Sequence, residues 1–267
     1  MSFSNIHCHT TFSDGKHTPE ENVLAAIRRG MPSIGISDHS YTPFDLSYCI
    51  KKEDLAAYKA EVRRLKERYQ DQIDVLLGLE LDGAAPLEVR GTYDYLLGDC
   101  HYLFADGAYH SIDHCIEGHI ALAEQHFSGD YTKMSCAYYA TYAEKMCALK
   151  PDILGHFDLV TKFGFVNEED PQYLKAAKEC LAACLSVTPV VEVNTGAIAR
   201  GHRQVPYPSV PLLRFIRERG GRLILGSDSH DRANLDFWFP EAVALIKAQG
   251  FRCITVLRKD GFHEIEI

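Results

Sequence analysis

Short apolar runs alternate with amphipathic, helix-period stretches along most of the chain. Seven runs read as strands: residues 3–7, 33–36, 74–80, 93–97, 152–154, 190–193 and 222–225. Several are apolar at nearly every position, the pattern of strands covered on both faces. Helices are predicted between them. Thr18-Pro19-Glu20-Glu21 is a capping box with proline at the first helical position, and Gly30 ends the helix it opens. Leu55, Tyr58, Val62, Leu65 and Tyr69 step by three and four, a stripe that faces a core. Residues 137–149, 173–185, 210–219 and 240–248 also read as helices. Such alternation predicts parallel strands with right-handed crossovers, and seven units predict a closed or nearly closed α/β barrel. Residues 253–257 and 263–267 read as a hairpin about Lys259-Asp260-Gly261. The least regular stretch, 104–134, is expected to be a helical insertion over the barrel mouth.

Composition narrows the class. A length of 267 residues, 46% apolar, suits one domain spanning 1–267. The net charge of −9 disfavours nucleic acid and anionic membranes as partners. No apolar run approaches about 18 residues, so no membrane-spanning helix is expected. The start lacks the basic-then-apolar pattern of a secretory leader. Nine cysteines, an odd number, fall mostly in apolar periodic segments with no CxxC pair. Buried free thiols in a cytoplasmic protein are therefore expected, rather than disulfides or a cysteine zinc site.

The chemistry lies at the strand ends. His7 and His9 end the first strand, Asp38 and His39 the second, and Glu80 the third. His101 follows the fourth, His156 ends the fifth, and Asp228 and His230 end the seventh. In a βα barrel these ends meet on one face. A ring of carboxylates and imidazoles would be costly there without a cation, whereas divalent metals take these donors readily. His-x-His on a strand puts both rings on the same side, so both can reach one ion. Of the remaining histidines, His110, His114, His119, His126 and His263 are expected at the surface or in a lid, and His17 and His202 stay open.

His7-Cys8-His9-Thr10, Ser13-Asp14-Gly15, Ser37-Asp38-His39, Gly78-Leu79-Glu80, Gly98-Asp99-Cys100-His101, Gly155-His156-Phe157-Asp158 and Gly226-Ser227-Asp228-Ser229-His230 together resemble the polymerase and histidinol phosphatase (PHP) superfamily. Within it the chain looks like the histidinol-phosphate phosphatases. The resemblance implies a distorted (βα)7 barrel, similar to a TIM barrel, with three divalent ions (zinc, iron or manganese) at the C-terminal ends of the strands. His7, His9, Glu80 and Asp228 would hold the first ion. Glu80 would bridge to a second, held also by His101 and His156. The third would take His39, His230 and Asp14, with His17 competing for Asp14's place. The family more often has serine before the fourth-strand motif, where this chain has Asp99, which is not expected to displace His101.

The implied reaction is hydrolysis of L-histidinol phosphate to L-histidinol and phosphate in histidine biosynthesis, by a metal-bridging hydroxide, with Glu80 and Asp228 catalytic. The alternative is another small phosphate ester or a nucleotide. Arg200 and Lys162 resemble the family's phosphate-binding positions. Asn194 is expected to hydrogen-bond near them. Asp113, in Ser111-Ile112-Asp113, is expected to meet the substrate's amine or imidazole, with His202 and Arg203 as further candidates.

Overall fold

The computed structural model describes residues 3–86 and 90–267. Its centre is a curled eight-stranded sheet in a mixed α/β fold. The strands are β1 (Ser33–Ile36), β2 (Asp74–Asp82), β3 (Tyr95–Asp99), β6 (Ile153–Leu154), β7 (Val190–Asn194), β8 (Arg222–Gly226), β9 (Cys253–Arg258) and β10 (Gly261–Glu266), side by side in that order. All pairings are parallel except β9 with β10, the predicted terminal hairpin. A separate hairpin joins β4 (Tyr102–Ala105) to β5 (Ala108–Ser111).

The helices are α1 (Pro19–Arg28), α2 (Leu55–Arg68), α3 (Ile116–Phe127), α4 (Tyr131–Leu149), α5 (Pro171–Leu185), the single turn α6 (Gly196–Ala199), α7 (Val210–Glu218) and α8 (Phe239–Ala248). Helix α1 begins as its sequence dictates, with both halves of the Thr18/Glu21 capping box formed. Helix α4 starts six residues earlier than its apolar period suggests. The cause is Asp130, whose side chain accepts from the Lys133 amide as an N-cap.

Three expectations change. The predicted first strand, residues 3–7, is not a regular strand. The N-terminal segment bridges two neighbours at single points, Asn5 with Ile34 and, one residue past the predicted strand, Cys8 with Ser229, because it straddles β1 and the segment after β8. The fourth predicted strand shifts to Tyr95–Asp99, since residues 90–92 form a helical turn and the Asp94 amide bonds to the Leu77 carbonyl before pairing begins. The irregular stretch 104–134 holds most of the β4–β5 hairpin as well as α3. The signal was Asp106-Gly107, a two-residue turn with φ of 48° and 84°.

Side chains that alternate along the strands share an inner cluster: Leu76 on β2, Tyr95 and Leu97 on β3, Ile153 on β6, Val190 on β7 and Ile224 on β8. Ile6 and Leu257 complete it. Every second residue further along those strands therefore points the same way, toward one rim. All nine cysteines are free, five of them buried. Among the described residues no helix is long and apolar enough to cross a membrane.

Candidate metal centre

The alternation of inner side chains delivers Glu80, Asp99, Glu192 and Asn194 to that rim, following Leu76, Leu97 and Val190 on their own strands. His7 and His9 arrive from the N-terminal segment, and Asp228 and His230 from the turn after β8. Three groups of side chains there could each hold a cation: His7, His9 and Glu80; Glu80, Asp99, His101 and His156; and His9, Asp14, His39 and His230. Within each group the donor atoms lie within 4.8 Å of one another.

Glu80 joins the first two groups. Its Oε1 lies 3.3 Å from His7 Nε2 and 2.8 Å from His156 Nε2, and its Oε2 lies 2.6 Å from His39 Nδ1. His9 joins the first and third. Its Nε2 is 3.2 Å from His7 Nε2 and 3.1 Å from Asp228 Oδ1, while its Nδ1 is 3.9 Å from Asp14 Oδ1. A neutral imidazole has one lone-pair nitrogen, so His9 can serve only one of its two groups at a time.

Two imidazole nitrogens facing each other across 3.2 Å are not both protonated. The buried Nδ1 atoms of His9 and His156 have no hydrogen-bond partner. A water-excluded site leaves such nitrogens without a partner at a cost of kilocalories, unless a cation takes them. The residues present therefore fit divalent ions.

The electrostatics agree. Burial, together with His230 and His39, pushes His9 down to about 3, so the ring is neutral and one of its nitrogens keeps a lone pair for a metal. Burial and then the charge of Glu80 raise Asp99 to about 7, with His101 opposing. Burial works against ionisation of Asp228 too, but Arg200 and His7 outweigh it and hold that carboxyl well below its usual range. Asp228 also has a positive φ of 46°, an uncommon backbone for a residue other than glycine and one found at functional sites.

Buried carboxylates around the rim aim the ligands. Glu192 accepts from His7 Nδ1 at 2.7 Å and from the His156 amide at 2.8 Å. Asp82 accepts from the His101 amide at 2.7 Å and lies 3.2 Å from its Nδ1. Asp38 faces away from the three groups. It binds the Thr10 amide at 2.7 Å and the Thr10 and Ser13 hydroxyls, fixing the loop that carries Asp14. Glu192 and Asp82 went unremarked in the sequence. A lone glutamate inside the apolar run of β7, in phase with Val190, was the signal for the first.

A cavity of about 270 Å³ opens on this rim, lined by Asp14, His39, His101, His156, Asp228 and His230, and also by Arg200 and Lys162. Arg200 donates to Asp228 Oδ2 at 2.7 Å and to its carbonyl at 3.0 Å. Lys162 donates to Asp113 Oδ2 at 3.0 Å and to its carbonyl at 2.7 Å.

The other expected residues lie elsewhere or are already engaged. Asn194 is fully buried and braces Glu192 and the Gly196 amide. His202 is exposed and packs edge-on against Phe163. Arg203 is bound to Glu168 and to Thr161, next to the Lys162 turn. His17 reaches Asp231 and Glu21 instead of any metal-capable group, because its loop turns toward α1. His119, expected at the surface, is 1% exposed; its Nδ1 donates to the Ile112 carbonyl and its ring packs among Tyr131, Phe163 and Phe165. Asp99, set aside as a ligand, stands with Glu80, His101 and His156 because it is in phase with Leu97.

Residues 5–196 match the PHP domain family. The chain belongs to the PHP family. A probable histidinol-phosphatase of Deinococcus radiodurans is 30% identical to this PHP protein over 259 residues, covering 93% of this chain and 94% of that one. A histidinol-phosphatase of Lactococcus lactis is 24% identical, covering 99% and 94% respectively. The crystal structure of histidinol phosphate phosphatase from Lactococcus lactis, complexed with zinc, L-histidinol and phosphate, has a TM-score of 0.70 at 19% identity. It covers 98% of this chain and 99% of its own. That likeness extends the PHP fold across the curled sheet and the rim on which the three groups stand.

Proposed function

We propose that this protein is a metal-dependent phosphomonoesterase that hydrolyses L-histidinol phosphate to L-histidinol and phosphate. The observation that carries this reading is the adjacency of three metal-capable groups to two cationic side chains in one cavity. The near-full-length likeness to histidinol-phosphatases supports the choice of substrate. We read the curled sheet with its N-terminal segment as a distorted (βα)7 barrel, folded as one domain, and the rim as the site of three divalent ions.

His7, His9, Glu80 and Asp228 would hold one ion, Glu80, His101 and His156 a second, and Asp14, His39 and His230 a third. Asp99 stands close enough to join the second. Such ions supply Lewis acidity and lower the pKa of water. Arg200 and Lys162 grip the phosphoryl oxygens, the first as a planar fork and the second as a point charge. Asp228 is held ionised by Arg200 through Oδ2, so its Oδ1 stays an anionic donor for the first ion. The water oxygen bonds to phosphorus as the ester P–O bond breaks; one water proton passes to the leaving alkoxide oxygen and the other stays on the phosphate, giving the alcohol and hydrogen phosphate. Glu80 stays ionised between two groups and keeps their imidazoles oriented.

The test is release of phosphate from L-histidinol phosphate, with metal content measured on the same sample. Prompt cleavage of a phosphodiester or nucleotide with negligible cleavage of L-histidinol phosphate would reject the substrate assignment. Metal-free protein with full activity would reject the mechanism.

A further inference from the structure

The cavity that carries Arg200 and Lys162 has a second wall of opposite character, made by Asp45, Tyr48 and Tyr102. Four aspartates line the cavity as a whole. Asp14 stands in a metal-capable group, Asp228 is bound by Arg200, and Asp113 is bound by Lys162. Asp45 is the fourth, and its hydrogen-bond partners are uncharged. Tyr102 donates to its Oδ2 at 2.9 Å, and the Ser47 hydroxyl and amide donate to its Oδ1 at 2.6 and 3.1 Å. Among the described residues no lysine or arginine pairs with it, and His114 offers only a weaker attraction from the exposed rim.

Aromatic side chains share this wall with the carboxylate, Tyr102 touching it through its hydroxyl and Tyr48 lining the same cavity. The Tyr48 ring lies 4.7 Å from His39 and 6.3 Å from Tyr102. Phe44 meets Tyr102 edge-on at 5.0 Å and stacks on Tyr109 at 4.3 Å. One unneutralised negative charge among aromatic rings is the environment that recognises a flat or compact organic cation. A phosphate ester anchored at Arg200 and Lys162 would extend its alcohol portion toward this wall.

We propose that Asp45, held by the Tyr102 hydroxyl, determines specificity by receiving a cationic nitrogen of the substrate's organic half, ammonium or imidazolium. The assignment rests on the phosphatase reading above. It replaces Asp113, whose charge is already matched by Lys162.

Four monoesters test it: L-histidinol phosphate, 3-(imidazolyl)propyl phosphate without the amine, phosphoethanolamine without the ring, and phenyl phosphate with an uncharged organic half. Asp45→Asn keeps the shape and removes the charge. The preference in kcat/KM for L-histidinol phosphate over phenyl phosphate is expected to fall about tenfold, mainly through KM, as for a partly exposed charged hydrogen bond. The cationic ester whose turnover responds to Asp45→Asn identifies the nitrogen that Asp45 receives. Tyr102→Phe frees the carboxylate without removing it and is expected to lower the same preference by a smaller factor. Equal losses on all four esters, or an unchanged preference in folded Asp45→Asn protein, would overturn the assignment. Wild-type cleavage of phenyl phosphate but not of L-histidinol phosphate would overturn the parent reading and this assignment together.

Discussion

His7 and Glu192, 185 positions apart in the chain, meet at 2.7 Å with neither side chain exposed to solvent. Nδ1–H donates to the carboxylate, so Nε2 is the nitrogen presented to Glu80, His9 and Asp228 and the one open to a metal. This fixes the tautomer that a metal needs and raises the basicity of the ligand. Glu192→Gln would keep the shape and remove the charge. It should lower both bound metal and turnover by about 10- to 100-fold, with partial recovery in excess metal. Wild-type metal content in a folded Glu192→Gln variant would show that His7 needs no such partner.

Removing metal should do more than stop turnover. The three groups place carboxylates and imidazoles under one rim, and ions that bind only the folded state stabilise it by mass action. Chelation is therefore expected to abolish phosphate release and lower Tm, and added zinc or manganese to restore both. An unchanged melting curve after verified metal loss would mean that the rim is balanced without ions.

Much of this rim was legible in the chain, because a strand end carrying His, Asp or Glu is visible in one dimension. Six histidines and Glu80 were found that way. Asp99 and Glu192 were harder to see, since their direction depends on strand phase, and phase becomes certain only when Leu97 and Val190 are known to point inward. Residues 3–7 misled for a different reason. An apolar run says that a segment is buried, but here the burial comes from wedging between β1 and the turn after β8, with a single bridge to each. His119 misled because polarity was read as exposure, whereas one carbonyl and three aromatic rings suffice to bury it.

That burial has a pH signature. Desolvation, outweighing the Ile112 carbonyl and Asp113, lowers His119 below its ordinary value of 6.5. Below pH 6.5 the unfolded chain then binds a proton that the folded chain still refuses. Stability attributable to His119 is thus complete above about 6.5 and is lost as pH falls toward its lowered folded value. His119→Phe keeps a ring in the aromatic cluster and removes the titration. Its stability relative to wild type should improve steadily from pH 7 to pH 5, measured by denaturant midpoints. A constant difference across that range would assign the acid sensitivity to other groups.

Arg200 carries two duties, contact with the phosphate and the 2.7 Å bond that keeps Asp228 ionised. Arg200→Ala should therefore raise KM and also lower kcat, by a combined factor of about 100 or more in kcat/KM. Arg200→Lys should recover part of the binding but not the forked geometry. Lys162→Ala leaves Asp113 unpaired and is expected to act mainly on KM. If Arg200→Ala altered KM alone, the bond to Asp228 would have no part in turnover.

Gly15 offers the sharpest test of the third group. Its amide bonds to the Thr10 carbonyl at 2.9 Å, which folds the loop so tightly that a Cβ at position 15 would overlap the backbone of His9 and Thr10. The requirement is for space, since backbone atoms cannot rotate aside as a side chain tip could. An alanine there must push the loop outward, and Asp14 moves with it, away from His230 at 3.1 Å and His39 at 3.8 Å. Overpacking of this kind costs about 1–3 kcal/mol. The Gly15→Ala protein should still fold, yet bind up to one metal equivalent fewer and lose about tenfold or more in turnover, the scale of a disturbed ligand set. Full metal occupancy with wild-type kcat in that variant would show that Asp14 is not required at the site.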